Sequence, residues 1–493
     1  MSTLESYFEP FRKNTIGDKH KFNTPFGSKT MVYADWIASG RLYRPIENRI
    51  IDEIGPFIGN THTETSETGT LMTKAYHLAH RKIKQHVNAG PQDVIITAGS
   101  GMTTVINKLQ RIMGLKNCGI NQNGKCLLNQ EDKPVVFLTH MEHHSNHTSW
   151  IETNVDVVVL KPGKDLLIDL DELRNQLEEH KERTFKIGAF TACSNVTGIE
   201  TPYHEMARIM HEYGGVAFID FAASAPYVDI DMHPADDEAK KLDAIFFSPH
   251  KFLGGPGSSG VLVFDGSLYK SKTPDHPGGG TVDWTNPWGE YKYIDDIELR
   301  EDGGTPGFLQ AIRTAMAIEV KNQMTTQKMH EREHELVQRA FKAFRAIKGV
   351  HILADNIEKR LGVFSFYIEN VHFNLAVKLM NDRFGVQVRG GCACAGTYGH
   401  FLLDVSHDKS REITDLINSG DLSQKPGWIR ASLHPTMTNA ELDQLIDAVK
   451  QISLHADEWG KDYVYNNHTN EFRHKSEPED KTVWVEKWFD LSE

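Results

Sequence analysis

The sequence lacks three features that would each point to a particular class of protein. No apolar run approaches the length of a transmembrane helix, so a membrane-spanning protein is not expected. The five cysteines are too few and too unevenly spaced for a disulfide framework, which favours a reducing compartment. The first residues have neither the basic end nor the apolar core of a signal peptide. These absences predict a cytoplasmic location.

Positive charge is also scarce. Lysine and arginine together number 54, against 67 aspartate and glutamate residues, which gives a formal net charge of −13. An acidic balance of this size argues against nucleic acid and anionic membrane surfaces as main partners. Neither kind of partner is therefore expected.

The chain is long enough for more than one domain. Its 493 residues exceed the usual domain length, and an apolar content of 39% is sufficient for a core. A glycine- and proline-rich stretch at 303–307 is the strongest break in the pattern. We predict an N-terminal arm at 1–30, a large domain at 31–307, a small α+β domain at 308–455 and a polar C-terminal tail at 456–493.

Short apolar segments alternate with amphipathic segments along the predicted large domain. The apolar segments have the length of strands and lie at 94–97, 135–139, 155–160, 186–191, 216–219, 245–247 and 261–264. Segments with helical periodicity lie between them, at 102–113, 170–182 and 204–213. This alternation predicts an α/β fold with a mainly parallel sheet of the seven-stranded type and an active site at the carboxyl ends of its strands. One long helix is predicted at 308–347.

A lysine follows one of the predicted core strands. Residues 248–251 read Ser-Pro-His-Lys and stand between the strand at 245–247 and a glycine-rich stretch at 252–260. Lysine is rarely buried unless it is paired or used chemically, and at a strand end it can hold a carbonyl cofactor as a Schiff base. A lone lysine in such a place is more often a surface residue, so Lys251 by itself decides nothing.

A carboxylate ends the preceding predicted strand. Residues 215–220 are an apolar segment that finishes at Asp220. A pyridoxal phosphate site needs a lysine that holds the cofactor aldehyde and an acidic group that keeps the pyridine nitrogen protonated. With Asp220 and Lys251 at successive strand ends, the sequence over about residues 33–452 resembles the class V aminotransferase family of fold-type I pyridoxal phosphate enzymes. That family includes cysteine desulfurases and selenocysteine lyases.

The resemblance implies which residues bind the cofactor phosphate. Gly101, Met102 and Thr103 match the family's phosphate cup, at a helix start where free N–H groups bind anions. Ser248 and His250 match further contacts of the family to the phosphate and cofactor, beside the lysine. Pyridoxal 5'-phosphate is therefore the expected cofactor.

The resemblance also implies residues for the ring, the substrate and a second subunit. His143 matches the histidine that stacks on the ring, and Asn195 matches the residue that hydrogen-bonds the ring hydroxyl or the substrate. Arg430 matches the arginine that binds the substrate α-carboxylate, a group that arginine pairs with in a bidentate manner. Thr281 matches a residue that reaches the neighbouring subunit's phosphate, which implies a homodimer with composite active sites.

Residues 388–396 bear on the type of reaction. Cys394 matches the nucleophile with which one branch of the family removes sulfur from cysteine as a persulfide, and that step implies a sulfur-acceptor protein. Cys392 fits a neighbour, a resolving thiol or a packing residue. Desulfurases of that branch have glutamine three residues after the ring aspartate, whereas this sequence has Ala223. Cys394 favours desulfuration, whereas Ala223 favours a different reaction.

Three short motifs fail the test of their context. Residues 255–260 spell Gly-x-Gly-x-x-Gly but precede a strand instead of opening a helix. Residues 119–125 begin like a phosphate-binding loop, but Cys126 replaces the required Ser or Thr. Residues 330–334 spell His-Glu-x-x-His, but their charged flanks favour a solvated helix face. No metal site is predicted.

Three interpretations stay open. The favoured one is a cysteine desulfurase-like enzyme with Cys394 as the persulfide carrier. The second is an enzyme of the same fold that performs transamination, epimerisation or another lyase reaction on a different amino acid, with Cys394 non-catalytic. The third, a non-catalytic scaffold or a zinc peptidase, is disfavoured by Asp220 and Lys251 together.

Overall fold

The N-terminal residues are tied to the C-terminal half of the chain. The computed structural model describes residues 3–116, 133–477 and 481–492. Its first elements are α1 Thr3–Tyr7, α2 Glu9–Asn14, β1 Lys21–Thr24, β2 Gly27–Thr30 and β3 Val32–Tyr33. β3 pairs in parallel with residues near 386, and Arg12 Nη1 donates a hydrogen bond of 3.1 Å to the carbonyl of Thr436. The segment predicted as an arm thus contacts residues far along the chain.

Helical segments precede the central sheet. They are α3 Arg44–Asn48, a π-helical turn Arg49–Ile54, a 3₁₀ turn Gly55–Phe57 and α4 Glu67–His86. Ser66 caps α4, because its side chain accepts a hydrogen bond from the backbone N–H of Gly69. The buried stripe of α4 includes Tyr76 and Ile83 at helical spacing.

A seven-stranded sheet forms the centre of the structure. Its strands are β4 Asp93–Ala98, β5 Val135–Leu138, β6 Asp156–Val159, β7 Lys186–Thr191, β8 Val216–Asp220, β9 Ala244–Phe247 and β10 Gly260–Asp265. They lie in the order β4-β10-β9-β8-β7-β5-β6. β10 runs antiparallel to both of its neighbours, and the other pairings are parallel. The predicted mainly parallel sheet is confirmed.

Helices cover both faces of this sheet. They are α5 Met102–Ile112, α6 His144–Ile151, α7 Leu170–Glu179 and α8 Tyr203–Glu212. Successive strand residues point to opposite faces, so Ile219 of β8 packs in the core beneath α7 and α8 while Phe218 packs beneath α5 and α6. Both side chains are fully buried, which explains why the strands appear as continuous apolar runs in the sequence.

An exposed hairpin follows the sheet. β11 Val282–Thr285 pairs with β12 Tyr291–Tyr293, and α9 Ile297–Arg300 comes after them. Trp284 and Trp288 of this hairpin are exposed, whereas Thr281, directly before it, is buried. Aromatic surface is therefore exposed beside the residue that the sequence assigned to a second subunit.

The long helix predicted at 308–347 is two helices, so that prediction was wrong. α10 is Phe308–Met324 and α11 is Thr326–Arg345. Thr325 between them has a φ of +55°, which ends α10, and its side chain accepts a hydrogen bond from the N–H of Lys328 at the start of α11. The amphipathic pattern continues across the break, so hydrophobic periodicity cannot reveal it.

A second, antiparallel sheet of four strands lies in the C-terminal half. The remaining elements there are β13 Val350–Ile352, β14 Val363–Ile368, α12 Phe373–Leu379, a π-helical turn Met380–Phe384, β15 Val386–Gln387, β16 Arg389–Gly391, α13 Gly396–Leu402, α14 His407–Asn418, β17 Trp428–Ser432 and α15 Asn439–Trp459. The strand order is β13-β14-β17-β16, and β15 is the partner of β3. Phe364 of β14 packs against Phe341 of α11 with ring centroids 4.9 Å apart.

The tail folds back onto this part of the chain. After α15 come a 3₁₀ turn Gly460–Asp462, β18 Tyr463–Asn466, β19 Glu471–His474 and α16 Thr482–Glu486. β18 and β19 form an antiparallel hairpin. Tyr463 donates a hydrogen bond of 3.0 Å to Asp382, and Lys378 forms an ion pair of 2.6 Å with Glu477. The sequence left the packing of these residues undetermined.

The two histidines of the His-Glu-x-x-His motif lie on a solvent-exposed part of α11. His330 and His334 are exposed on α11, and Glu331 pairs with Lys328 at 2.8 Å. The residues that the structure describes contain no cluster of three or more His, Cys, Asp or Glu side chains arranged for a metal ion. Residues 119–125 lie outside the described ranges. In those ranges, no helix is long and apolar enough to cross a membrane.

Candidate active site

One cavity gathers the residues that the sequence singled out. It measures about 560 Å³, a size typical of small-molecule sites, and lies between the carboxyl ends of the central strands and the second sheet. Its lining includes Gly101, Met102, Thr103, His143, Asn195, Asp220, Ser248, His250, Lys251, Cys394 and Arg430. Thr281 lies elsewhere, and its hydroxyl donates a hydrogen bond of 2.6 Å to the carbonyl of Gly278.

Asp220 and Lys251 come from neighbouring parallel strands. Asp220 is the last residue of β8, and Lys251 ends a 3₁₀ turn, Pro249–Lys251, that follows β9. Burial raises the pKa of Asp220 to about 6, although the N–H of Ala222 donates to its carboxylate at 2.8 Å. Burial also lowers the pKa of Lys251 to about 8, and attraction to Asp220 opposes that shift. Lys251 is therefore closer to a neutral, nucleophilic amine than an exposed lysine is.

Glycine is required where the chain wraps around the lysine turn. A Cβ atom at Gly40 would lie 1.9 Å from the carbonyl oxygen of Phe252. A Cβ atom at Gly255 would lie 1.8 Å from the carbonyl oxygen of Pro249. Such distances are impossible for a side chain, so only glycine allows these backbone segments to approach and hold Lys251 in the cavity.

The start of α5 meets the lysine turn. The backbone N–H of Met102 donates a hydrogen bond of 2.9 Å to Ser248 Oγ. A Cβ atom at Gly101 would lie 3.1 Å from Ser248 Oγ and 3.6 Å from His250 Nε2, so the absence of a side chain leaves room there. A helix N-terminus with nearby hydroxyl and imidazole groups is suited to an anion such as a phosphate.

His143 is held as a neutral imidazole. It caps α6, where its Nδ1 accepts a hydrogen bond of 3.1 Å from the N–H of Ser145. Burial, followed by the charge of Lys251, lowers the pKa of His143 to about 3. An uncharged ring lining the cavity is suited to stacking on an aromatic group.

Glu142, which sequence reasoning passed over, anchors the segment that carries His143. Its carboxylate is buried and accepts hydrogen bonds from the hydroxyl of Thr139 at 2.7 Å and from the N–H of Thr191 at 2.9 Å. Asn146 Nδ2 donates a further bond of 2.7 Å. Burial is the main cause of its raised pKa, about 8. The sequence signal for Glu142 was its position directly before His143, a predicted site residue.

Arg430 and Asn195 hold each other at one side of the cavity. Arg430 is buried, which lowers its pKa, and its Nη1 donates a hydrogen bond of 3.1 Å to the carbonyl of Asn195. Asn195 Nδ2 donates to the carbonyl of Ala393 at 2.6 Å. Among the described residues, the buried atoms Asn195 Oδ1 and Arg430 Nε have no hydrogen-bond partner. A ligand that pairs with these two atoms would stabilise the site, because unpaired buried polar groups are destabilising.

Asp35 is a second residue that the sequence analysis did not assign. Its carboxylate accepts a hydrogen bond of 3.2 Å from Arg430 and forms an ion pair of 3.1 Å with Arg389. Asp35 thereby sets the positions of two cationic side chains that line the cavity. Its place just after a short strand, the same pattern as at Asp220, could have identified it.

The loop with two cysteines forms another wall. Ala393 and Cys394 have φ angles of +52° and +56°, which non-glycine residues rarely adopt. The carbonyl of Cys394 accepts a hydrogen bond of 2.8 Å from the N–H of His144, and His144 Nε2 accepts one of 2.9 Å from the N–H of Gly396. The strained conformation is thus held by contacts with α6.

The described cysteines differ in accessibility. Cys394 is exposed, Cys392 is partly buried against an apolar cluster with Trp428, and Cys193 is fully buried. Burial raises the pKa of the Cys193 thiol well above its usual value. Cys394 is therefore the most accessible of the three thiols. Ala223, at the position of the family glutamine, also lines the cavity and offers no hydrogen-bonding side chain there.

Comparison with known proteins identifies the family. The model of a family described as aminotransferase class-V matches residues 32–445. The chain belongs to the class V aminotransferase family. The resemblance noted in the sequence is thereby confirmed, and with it membership of a family of pyridoxal phosphate enzymes.

Curated relatives within this family are named as desulfurases. A probable cysteine desulfurase of Halalkalibacterium halodurans is 28% identical over 374 residues, which is 74% of this chain and 84% of the relative. A probable cysteine desulfurase of Staphylococcus epidermidis is 28% identical over 444 residues, which is 89% of this chain and 96% of the relative. The similarity thus extends over most of both proteins.

Solved structures share the fold of this class V aminotransferase family member. The apo cysteine desulfurase of Thermococcus onnurineus has a TM-score of 0.71 at 18% identity, covering 90% of this chain and 98% of that one. The cysteine desulfurase CsdA of Escherichia coli has a TM-score of 0.69 at 21% identity, covering 91% and 98%. The predicted fold-type I architecture is confirmed.

Proposed function

We propose that the protein is a pyridoxal phosphate enzyme that removes sulfur from L-cysteine and leaves it as a persulfide on Cys394. The observation that carries the proposal is that Lys251, Asp220 and an exposed Cys394 line one cavity. The names and the coverage of the curated relatives support the same reaction.

The residues present fit the proposed cofactor. Lys251 would hold it covalently, and Asp220 would pair with its pyridine nitrogen. The acceptor atom Oδ1 of Asn195, buried without a partner among the described residues, suits the ring hydroxyl. His143 would stack on the ring, and the space beside Gly101 suits the phosphate. Bound there, the cofactor supplies an electron sink for the substrate carbanion.

The remaining steps belong to the side chains of this protein. Arg430, oriented by Asp35, would bind the substrate α-carboxylate. Lys251 would take the proton from Cα, which its lowered pKa favours. The thiolate of Cys394 would then attack the substrate sulfur. As the C–S bond breaks, its electron pair stays with the β-carbon, which takes up a proton. Cysteine and the Cys394 thiol thereby become alanine and a persulfide.

The direct test is product analysis. The cofactor-loaded protein, incubated with L-cysteine and dithiothreitol, should release alanine and sulfide in equal amounts, because the reductant removes the persulfide sulfur as sulfide. Pyruvate with sulfide and ammonia would instead indicate a β-elimination lyase. Amino-group transfer to a 2-oxo acid would indicate a transaminase. Either of these outcomes would contradict the proposed reaction.

One observation favours the second candidate, a transaminase, epimerase or other lyase acting on a different amino acid. Ala223 lines the cavity where the family's desulfurases have glutamine, so no side-chain amide faces the ring hydroxyl from that position. In this candidate Cys394 would be a packing residue. The product analysis distinguishes the two.

The lowered pKa of Lys251 leads to a prediction on cofactor uptake. The rate of covalent attachment to the apo-protein should rise about tenfold per pH unit below pH 8 and level off above it, because only the neutral amine attacks an aldehyde. In an Asp220→Asn variant the midpoint should move to lower pH, since the carboxylate raises the pKa of Lys251. Stopped-flow absorbance between pH 6 and about 10 would measure both. A midpoint near that of an ordinary lysine, about 10.4, would contradict the assignment.

The proposal extends to partners and location. A homodimer with composite sites is supported by Thr281, which lies outside the cavity beside the exposed Trp284 and Trp288. A persulfide can pass its outer sulfur to another thiol, which supports a sulfur-acceptor protein as a further partner. A cytoplasmic location is supported by the free thiols of the described cysteines.

A further inference from the structure

The turn of the tail hairpin lines the candidate active site. Thr469 and Asn470, between β18 and β19, border the same cavity as Lys251 and Cys394. The family model ends at residue 445, so this wall comes from a segment beyond the matched region. No role followed for it from the family motifs.

Hydrogen bonds fix this turn to two neighbouring walls. Asn374 Nδ2, from α12, donates a bond of 2.5 Å to the carbonyl of Asn470. The N–H of Leu422 donates a bond of 2.9 Å to the carbonyl of Asn467. Asn374 and Leu422 themselves line the cavity. The turn is therefore part of a connected wall.

Side chains of the hairpin brace the turn from behind. Tyr465 donates a hydrogen bond of 2.8 Å to Asn470 Oδ1. The rings of Tyr465 and Phe472 pack 4.6 Å apart, and both contact His372 next to α12. Asn470 has a φ of +58°, a conformation that asparagine tolerates better than most residues. These contacts give the turn a defined shape, so it can limit the size of a bound substrate.

The wall continues to the cysteine loop. A Cβ atom at Gly390 would lie 2.4 Å from Asn374 Oδ1, so Asn374 rests directly on β16, the strand that leads to Cys394. A Cβ atom at Gly427 would lie 2.9 Å from the Cα of Gly391 on the same strand. The hairpin turn, Asn374 and the segment before Cys394 therefore form one continuous surface.

We propose that Thr469 and Asn470 are specificity-determining residues that limit the length of the amino-acid side chain accepted beside Cys394. With Arg430 binding the carboxylate and Lys251 acting at Cα, as proposed above, a longer side chain would reach towards this wall, which borders the same cavity as Cys394. The substrates are then α-amino acids whose reacting atom is attached to the β-carbon. This inference rests on the proposed function for the roles of Arg430 and Lys251.

The test compares binding of two sulfur-free amino acids that differ by one methylene group. The cofactor-loaded parent protein, titrated calorimetrically, should bind L-serine at least about tenfold more tightly than L-homoserine, the lower end of what one methylene contributes to discrimination. Combining Thr469→Ala with Asn470→Gly should bring the two affinities to within about threefold, because the wall recedes. Asn470→Gly retains the backbone conformation, since glycine readily adopts a positive φ.

A second variant tests the opposite direction. Thr469→Trp should weaken homoserine binding further while serine binding changes less. Val464→Ser is the matched control, because Val464 lies on the same hairpin, is exposed and does not line the cavity. It should keep the affinity ratio of the parent. An unchanged ratio in both turn variants, with their circular dichroism spectra intact, would overturn the inference.

The readout separates this inference from the proposed reaction. Serine and homoserine contain no sulfur, so their relative binding does not depend on desulfuration. A ratio that responds to Thr469 and Asn470 in a protein that makes no alanine from cysteine would support the wall and overturn the desulfurase proposal. If the protein makes alanine from cysteine and neither turn variant changes the affinity ratio, the desulfurase proposal would be supported and the inference about the wall would be overturned.

Discussion

Replacing Lys251 with alanine should lower alanine production from cysteine by about 10²- to 10⁴-fold, the range that a general base contributes. The variant should also fail to hold the cofactor covalently, because no other amine lies at the end of β9. Borohydride reduction of the loaded parent followed by peptide mass spectrometry should place the label on Lys251. The variant should give no labelled peptide.

Lys425 provides the matched control for this experiment. It is a lysine that lines the same cavity but is exposed to solvent, whereas the amine of Lys251 is buried in the site. Lys425→Ala should therefore retain both the label on Lys251 and the covalent cofactor. A label on Lys425 in the parent, or a colourless parent that takes up no cofactor, would contradict the assignment of the site.

Replacing Cys394 with serine should abolish persulfide formation and reduce alanine production by several orders of magnitude, as loss of a covalent nucleophile does. The thiolate is the nucleophile, and a serine hydroxyl does not ionise near neutral pH. The bound cofactor should keep its absorbance, because Cys394 is not among the residues proposed to hold it. Mass spectrometry of the parent incubated with cysteine should show one added sulfur atom on the peptide with Cys394.

Cys392→Ser is the control, two residues away on the same loop. Cys392 is partly buried against an apolar cluster, so its thiol is less available to a substrate in the cavity. This variant should retain most of the alanine production. If both serine variants released alanine as fast as the parent, Cys394 would be a packing residue and the transaminase or lyase alternative would replace the desulfurase.

The central sheet could be predicted from the sequence because its determinants are local. Each strand is a short apolar run buried on both faces, as Phe218 and Ile219 illustrate. The break at Thr325 could not be predicted, since the apolar stripe runs on through it and the change is confined to one backbone angle. Local pattern therefore predicts elements better than it predicts where one helix becomes two.

The candidate site also contains some residues that the sequence predicts and others that it does not. Asp220 and Lys251 follow recognisable strands, so their meeting at one sheet edge was predictable. Asp35 was missed because its partners, Arg389 and Arg430, lie far along the chain. Thr469 and Asn470 belong to a polar turn without a chemical signature, and only tertiary packing brings that turn to the cavity.

The antiparallel strand β10 has a consequence for the order of folding. Among the described strands, β4 lies at the edge of the sheet beside β10, which the ribosome produces after the other five strands. Until β10 is available, β4 is an unpaired apolar strand that can pair with other chains. We therefore expect residues 93–98 to stay open to such pairing until residue 265 has emerged. Pairing of β4 with β10 also brings the helix start after β4 beside the lysine turn before β10.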